Sequence, residues 1–148
     1  MVIALKKLDN YKTVEIIISE LDLFIIDKVR ELRGNSKNYI SQVELSQRMG
    51  FAEGYVGKVE NFSSSTRYNI RKIHLIAKAL ELTSYTDLLP TNILRNDMLL
   101  LKLKVNKQRN DTVNFDSQGN VVKNYIIENK RVLSEKEIKD FNNRRLKR

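Results

Sequence analysis

Residues Ser41 to Asn61 read SQVELSQRMGFAEGYVGKVEN, and the reading of this stretch decides the rest. From Gln42 to Met49 the apolar or small residues Val43, Leu45, Ser46 and Met49 fit one buried helical face. Ser41, with Glu44 three positions on, is a capping box that opens a helix. Gly50 breaks the run, because glycine takes positive φ at a helix end without steric cost. A second helix is expected over about Ala52 to Asn61, with Val56, Val59 and part of Tyr55 inward. Two short helices joined through a glycine turn form a helix-turn-helix signature.

The flanks extend the pattern. Val29-Arg30-Glu31-Leu32-Arg33 ends an apolar-periodic helix, and Ile73 to Leu80, IHLIAKAL, forms another. With Ser41-Gln42, Leu45-Ser46, Gly50 and Val59-Glu60, these pieces in order resemble the Cro/phage-repressor (XRE) family of helix-turn-helix DNA-binding proteins, over about Leu21 to Pro90. The resemblance implies a mainly α fold: a lambda-repressor-like five-helix domain, followed here by a small β-hairpin or sheet and a C-terminal helix. It also implies a transcriptional regulator, repression being the favoured direction, that binds double-stranded DNA as a homodimer.

Composition agrees with a polyanion partner. Of 148 residues, 41% are hydrophobic and 30% charged, which suits a globular chain, and the net charge is +9. Residues 1–90 carry 13 Lys/Arg against 11 Asp/Glu, whereas residues 91–148 carry 14 against 7. The basic excess therefore lies mostly outside the helix-turn-helix, and a basic chain attracts nucleic acid. No apolar run is long enough to span a membrane. The N-terminus lacks the layout of a signal peptide, so a cytoplasmic location is expected. The absence of cysteine removes disulfides, thiolate catalysis and the common zinc sites. The only histidine, His74, sits mid-helix between Ile73 and Leu75 and reads as structural. No Gly-rich phosphate loop, metal spacing or nucleophile constellation is found. No enzyme activity, cofactor or metal is expected.

Along the chain, TVEIII at Thr13 to Ile18 is β-branched and reads as a short strand or irregular arm. Helix one is expected over Glu20 to Arg33 with Leu21, Ile25, Val29 and Leu32 inward. Asn69 caps a helix over Ile70 to Leu82 with Ile70, Ile73, Ile76, Ala77 and Leu80 inward. Ser84 with Asp87 opens a last short helix that Pro90 ends. Pro90 is the boundary between a DNA-binding domain with its N-terminal arm, residues 1–90, and a basic extension, residues 91–148. In the extension, Leu99, Leu101, Leu103 and Val105 alternate as a half-buried strand. Asp116 to Asn120 is a turn signal, Val121 to Ile127 a second strand, and Ser134 with Glu137 caps a final helix. A hairpin alone is rarely stable. The extension must pack on the helices, pair with a second copy, or serve a protein partner. The last option makes the chain an antitoxin-like protein or adaptor instead.

In a helix-turn-helix the second helix enters the major groove with its N-terminal residues at base edges. By the resemblance, Ala52, Glu53, Gly54, Tyr55 and Lys58 face DNA, with Gln42 and Asn61 at the flanks. Lys58 suits guanine O6/N7 or a phosphate, and Glu53 a cytosine amino group. Arg67, in the Ser-rich loop, suits a phosphate. Three positions depart from the family pattern. Ala52 replaces a Ser/Thr cap at about 1 kcal/mol. Gly54 and Gly57 each cost about 1 kcal/mol relative to alanine inside a helix.

Overall fold

The computed structural model describes residues 10–106 and 113–146, with no side-chain detail for residues 145 and 146. The first element among the described residues is a strand, β1 (Tyr11–Ser19). Four helices follow: α1 (Glu20–Asn35), α2 (Gln42–Arg48), α3 (Tyr55–Glu60) and α4 (Ile70–Ala79), then a 3₁₀ turn over Tyr85–Leu88. Strands β2 (Met98–Asn106) and β3 (Tyr125–Val132) and helix α5 (Glu135–Leu146) complete it.

The expectation of a mainly α chain, with a lambda-repressor-like five-helix domain followed by a separate hairpin, is corrected by the sheet. It has three antiparallel strands in the order β1-β2-β3. β1 pairs with β2 along its whole length, from Tyr11 opposite Asn106 to Ser19 opposite Met98. The fold is mixed α and β, and the helices are inserted between two neighbouring strands. The physical reason is the period of β1: Val14, Ile16 and Ile18 alternate toward the helices and meet Leu103, Leu101 and Leu99. A lone arm could not bury that face. The sheet thus joins residues on both sides of Pro90.

Leu99, Leu101, Leu103 and Ile18 belong to the same core as Ile25, Ile26, Val29, Leu45, Val56 and Val59. The Leu-rich strand is interior, so it offers no open dimer surface. The turn at Asp116 to Asn120 forms, with Gly119 at φ 81° and the Asp116 amide donating to the Asn120 carbonyl at 2.9 Å. The second strand of the hairpin lies later than expected, at Tyr125–Val132. Val121 takes part only in a bridge to Phe115.

Helix α1 buries Ile25, Ile26, Val29, Arg33 and Gly34, whereas Leu21 is 44% exposed. Ile25 and Val29 are inward as expected and Leu32 is partly buried against the core, so the stripe departs at Leu21 and gains the buried Ile26 and Arg33. In α2, Val43 is also exposed. Helix α4 ends at Ala79, three residues early, where Glu81 takes φ 56° and the Leu82 amide donates to the Ala77 carbonyl at 2.9 Å. Ile70, expected inward, is 90% exposed at the first position of α4.

The sheet grips the helices through polar contacts as well. The Tyr125 hydroxyl donates to Asp27 Oδ2 at 2.7 Å, and the Phe62 and Tyr125 rings meet edge to face at 5.0 Å. Burial raises the Asp27 carboxyl above its ordinary range, although Tyr125 and Lys123 oppose the shift. Burial and the Asp27 charge raise Tyr125 far more.

Helix α5 opens as expected: the Glu137 amide donates to Ser134 Oγ at 3.2 Å, and the Ser134 amide donates back to Glu137 Oε1 at 3.0 Å. Arg131 forks onto the same carboxylate at 2.7 and 2.9 Å. These bonds lower the Glu137 pKa from 4.5 to about 2. A depressed carboxyl contributes in full above its unfolded pKa and loses that contribution as pH falls through the folded one. Nuclear magnetic resonance of the first-turn amides of α5 should therefore show protection that is full at pH 5 and declines as pH falls from 4.5 toward about 2. In Glu137→Ala the pH dependence of these amides between pH 4.5 and about 2 should be absent.

Candidate nucleic-acid interface

Ser41 adopts extended backbone and accepts from the Glu44 amide at 3.0 Å, which starts α2 at Gln42. At the other end Gly50 takes φ 82°. Its amide donates to the Gln47 carbonyl at 3.0 Å, and the Phe51 amide to the Ser46 carbonyl at 2.9 Å. This closure turns the chain sharply and satisfies carbonyls that a helix end would otherwise orphan.

Helix α3 starts at Tyr55, later than the sequence suggests. Its N-cap is Gly54, which has no side chain to cap with. Ala52 precedes the cap, so its lack of a hydroxyl carries no capping cost. Ser46 supplies the missing acceptor from the neighbouring helix. Its hydroxyl donates to the Gln42 carbonyl at 2.8 Å and accepts from the Val56 amide at 2.9 Å. One buried serine therefore fixes the corner between α2 and α3.

The opposite side of α3 is anchored by Glu60. Arg33 Nε donates to Glu60 Oε2 at 3.1 Å and Nη2 to Oε1 at 2.7 Å. Arg33 Nη1 also donates to the Ile40 carbonyl at 2.8 Å, and Gln42 Nε2 to Glu60 Oε1 at 3.1 Å. Arg33 is 0% and Glu60 4% exposed. Two charges out of water are tolerated here because the fork is bidentate and each partner has a further hydrogen bond, to the Ile40 carbonyl and from Gln42. Sequence reasoning missed this pair, reading both residues only as parts of end-of-helix patterns. The available signal was a charged residue on the inward side of each helix.

The sequence-derived residues divide into two groups. Ala52, Glu53, Gly54 and Lys58 are exposed together at the turn and on the outer face of α3. Glu53 accepts from Gln47 Nε2 at 3.3 Å. The others are engaged within the chain. Gln42 is held on Glu60, and a Cβ at Gly57 would lie 3.0 Å from Gln42 Oε1, so glycine there lets the two helices close. Asn61 Oδ1 accepts from the Ser63 amide at 3.0 Å. Arg67 Nη1 donates to the Ser64 and Thr66 carbonyls at 2.9 and 3.0 Å, bracing its own loop. Tyr55 is half-buried, its ring 4.7 Å from Phe51 and 6.2 Å from Tyr68. Its hydroxyl and that of Tyr68 are buried with no hydrogen-bond partner among the described residues. Burial raises both phenols above their usual range, Tyr68 the more.

Lys72, on the first turn of α4, was not singled out by sequence. Its ammonium lies 5.6 Å from the Phe51 ring centre and 5.3 Å from that of Tyr55, which brings a third element to the same side. Arg71 beside it is exposed. His74, expected half-buried, is exposed, with Nδ1 2.7 Å from the Tyr85 hydroxyl. Among the described residues no cluster of His, Cys, Asp or Glu could hold a metal ion. No helix among them is long and apolar enough to cross a membrane. Comparison with family models, with curated proteins and with solved structures finds no match to this chain.

Removing one partner of a buried pair leaves the other charged and dry, at about 3–5 kcal/mol. Urea unfolding should show Arg33→Met and Glu60→Leu each losing a stability of that order. The double substitution should recover most of it, since two apolar side chains can fill the same space.

Proposed function

We propose that the chain is a sequence-specific DNA-binding transcriptional regulator, acting as a repressor, that reads the major groove with the outer face of α3. The observation that carries the reading is the two-sided anchoring of a short helix. Ser46 holds α3 against α2 and the Arg33–Glu60 pair holds it against α1, while Ala52, Glu53, Gly54 and Lys58 stay in solvent. A six-residue helix with one internal glycine and a glycine N-cap has no stability of its own, and this anchoring gives it a fixed direction.

On this reading Lys58 reaches a guanine edge or a phosphate. Ala52 and Gly54, being small, let the backbone approach the duplex. Glu53 selects against most base edges and accepts from cytosine. Lys72 and Arg71 supply phosphate contacts beside α3. Gln42, Asn61 and Arg67 act as positioning residues that keep α2, α3 and the following loop in place. Tyr55 supports Lys72 from below. One such helix reads few base pairs, so a homodimer on a two-fold site is required for useful specificity. The activity places the protein in the cytoplasm with the DNA.

A second reading makes the chain an antitoxin-like protein or adaptor that holds a protein partner through residues 91–148. It is favoured by α5, whose described side chains are exposed or half-buried and whose first turn is tied to Arg131.

Fluorescence anisotropy on duplex DNA across a salt series separates the two. A DNA binder loses affinity steeply as salt rises, because each phosphate contact releases counterions. Lys58→Ala should weaken binding by roughly tenfold to a hundredfold if it reads a base. Lys72→Ala should weaken all sequences alike and reduce the salt slope by about 1. No binding even at low salt would leave the protein-partner reading.

A further inference from the structure

Helix α4 turns Arg71, His74 and Lys78 to solvent, and the chain that leaves it folds back beside them. The reversal comes at Glu81, at φ 56°. Ser84 Oγ then accepts from the Thr86 amide at 3.1 Å and opens the 3₁₀ turn. This returns Tyr85 to α4, where its hydroxyl lies 2.7 Å from His74 Nδ1 and the two ring centres are 5.9 Å apart. Between the two elements is an open hollow of about 380 Å³, near the lower end of the range for small-molecule sites. Of the residues that line it, only Ala77 and Leu82 belong to the core or pack against it. His74, Lys78, Ser84 and Tyr85 line it without any part in the core.

We propose that this hollow binds a small organic anion, an oxyanion head on a flat apolar body. Its charge has one sign. Lys78 lines it and no carboxylate does, since Glu81 and Asp87 both lie outside it. His74 and Lys78, four residues apart on α4, lie on one side of the helix. On the protonated imidazole Nδ1 donates to the Tyr85 oxygen, and Nε2 is left to donate to a ligand. The apolar surface suits the body of such an anion. Ala77 and Leu82 supply aliphatic surface, and the Tyr85 ring, 52% exposed, supplies an aromatic one. A tyrosine tied by its hydroxyl while half of it stays in water adds little to the core. It offers a ligand a ring already in position, which lowers the cost of ordering on binding. No residue of α2, the turn at Gly50 or α3 lines the hollow, so an occupied hollow leaves the outer face of α3 uncovered.

The proposal does not rest on DNA binding, and its test contains no DNA. His74 is the only histidine, so its ring signals in nuclear magnetic resonance of the full chain report on this hollow alone. Phenyl phosphate and benzoate are the probes, at about pH 6, where histidine side chains are largely charged. Each should move the His74 signals saturably, with half-saturation near about 1 mM, and the tighter of the two identifies the preferred head group. Inorganic phosphate, which lacks the apolar body, should bind more weakly than phenyl phosphate. Benzyl alcohol, which lacks the charge, should leave the signals in place. Lys78→Ala should weaken both anions by about threefold to fivefold, as for a charge in a partly exposed site. Its melting temperature should be unchanged, because that side chain is exposed. In Tyr85→Ala phenyl phosphate should lose its advantage over inorganic phosphate. No saturable movement with either anion up to about 10 mM would overturn the proposal. So would an equal response to benzyl alcohol, or binding that Lys78→Ala and Tyr85→Ala leave unchanged.

Discussion

The bond that the rest of the structure depends on is the buried fork between Arg33 and Glu60. It joins the last turn of α1 to the last turn of α3, and through the Ile40 carbonyl it fixes the loop between α1 and α2. Gln42 adds the first turn of α2 to the same carboxylate. Four pieces of chain that already share one apolar core are thereby held in one arrangement. Apolar packing alone is tolerant of direction, since a short helix bearing only Val56 and Val59 can roll on its neighbours. A bidentate pair is not tolerant, because its geometry fails within a few tenths of an ångström and leaves charge without water.

The sheet gives that arrangement a base. β1 leads directly into α1 through Ser19, whose hydroxyl accepts from the Asp22 amide at 2.9 Å. β3 returns to α1 through Tyr125 and Asp27 and to the loop after α3 through Phe62. The helices that carry the exposed face of α3 are therefore gripped by strands that come from both ends of the chain. The basic extension is part of this scaffold, which limits how freely it can act as a separate partner segment.

Where sequence was informative, a local rule had no competitor. The caps at Ser41 and Asn69, the capping box at Ser134, the turn at Gly119 and the alternation of Leu99 to Leu103 were all legible because each is decided within a few residues. What was hidden depended on distant pairing. TVEIII could be read as an arm or a strand until a partner was known, and that partner lies more than eighty residues away. The inward stripe of α1 was legible at Ile25 and Val29, but Arg33 was left out of it because a buried arginine counts as polar until its carboxylate is found. The start of α3 was placed three residues early because its cap is a serine from another helix, outside any window along the chain. Of the residues expected at the duplex, Ala52, Glu53, Gly54 and Lys58 are exposed, as their place at the turn and on the outer side of α3 dictates. Gln42, Tyr55, Asn61 and Arg67 are turned inward by partners that sequence does not reveal.

The central claim is that an anchored α3 offers its outer face to a duplex, and the most direct measurement is selection of bound sequences from a random pool of double-stranded DNA. The expected result is enrichment of a two-fold or nearly two-fold sequence with half-sites about one helical turn apart, blurred when Lys58 is replaced by alanine. A pool that stays random after repeated rounds at low salt, or one whose enriched sequences are unchanged by substitution at Lys58, Glu53 and Gly54 together, would contradict it.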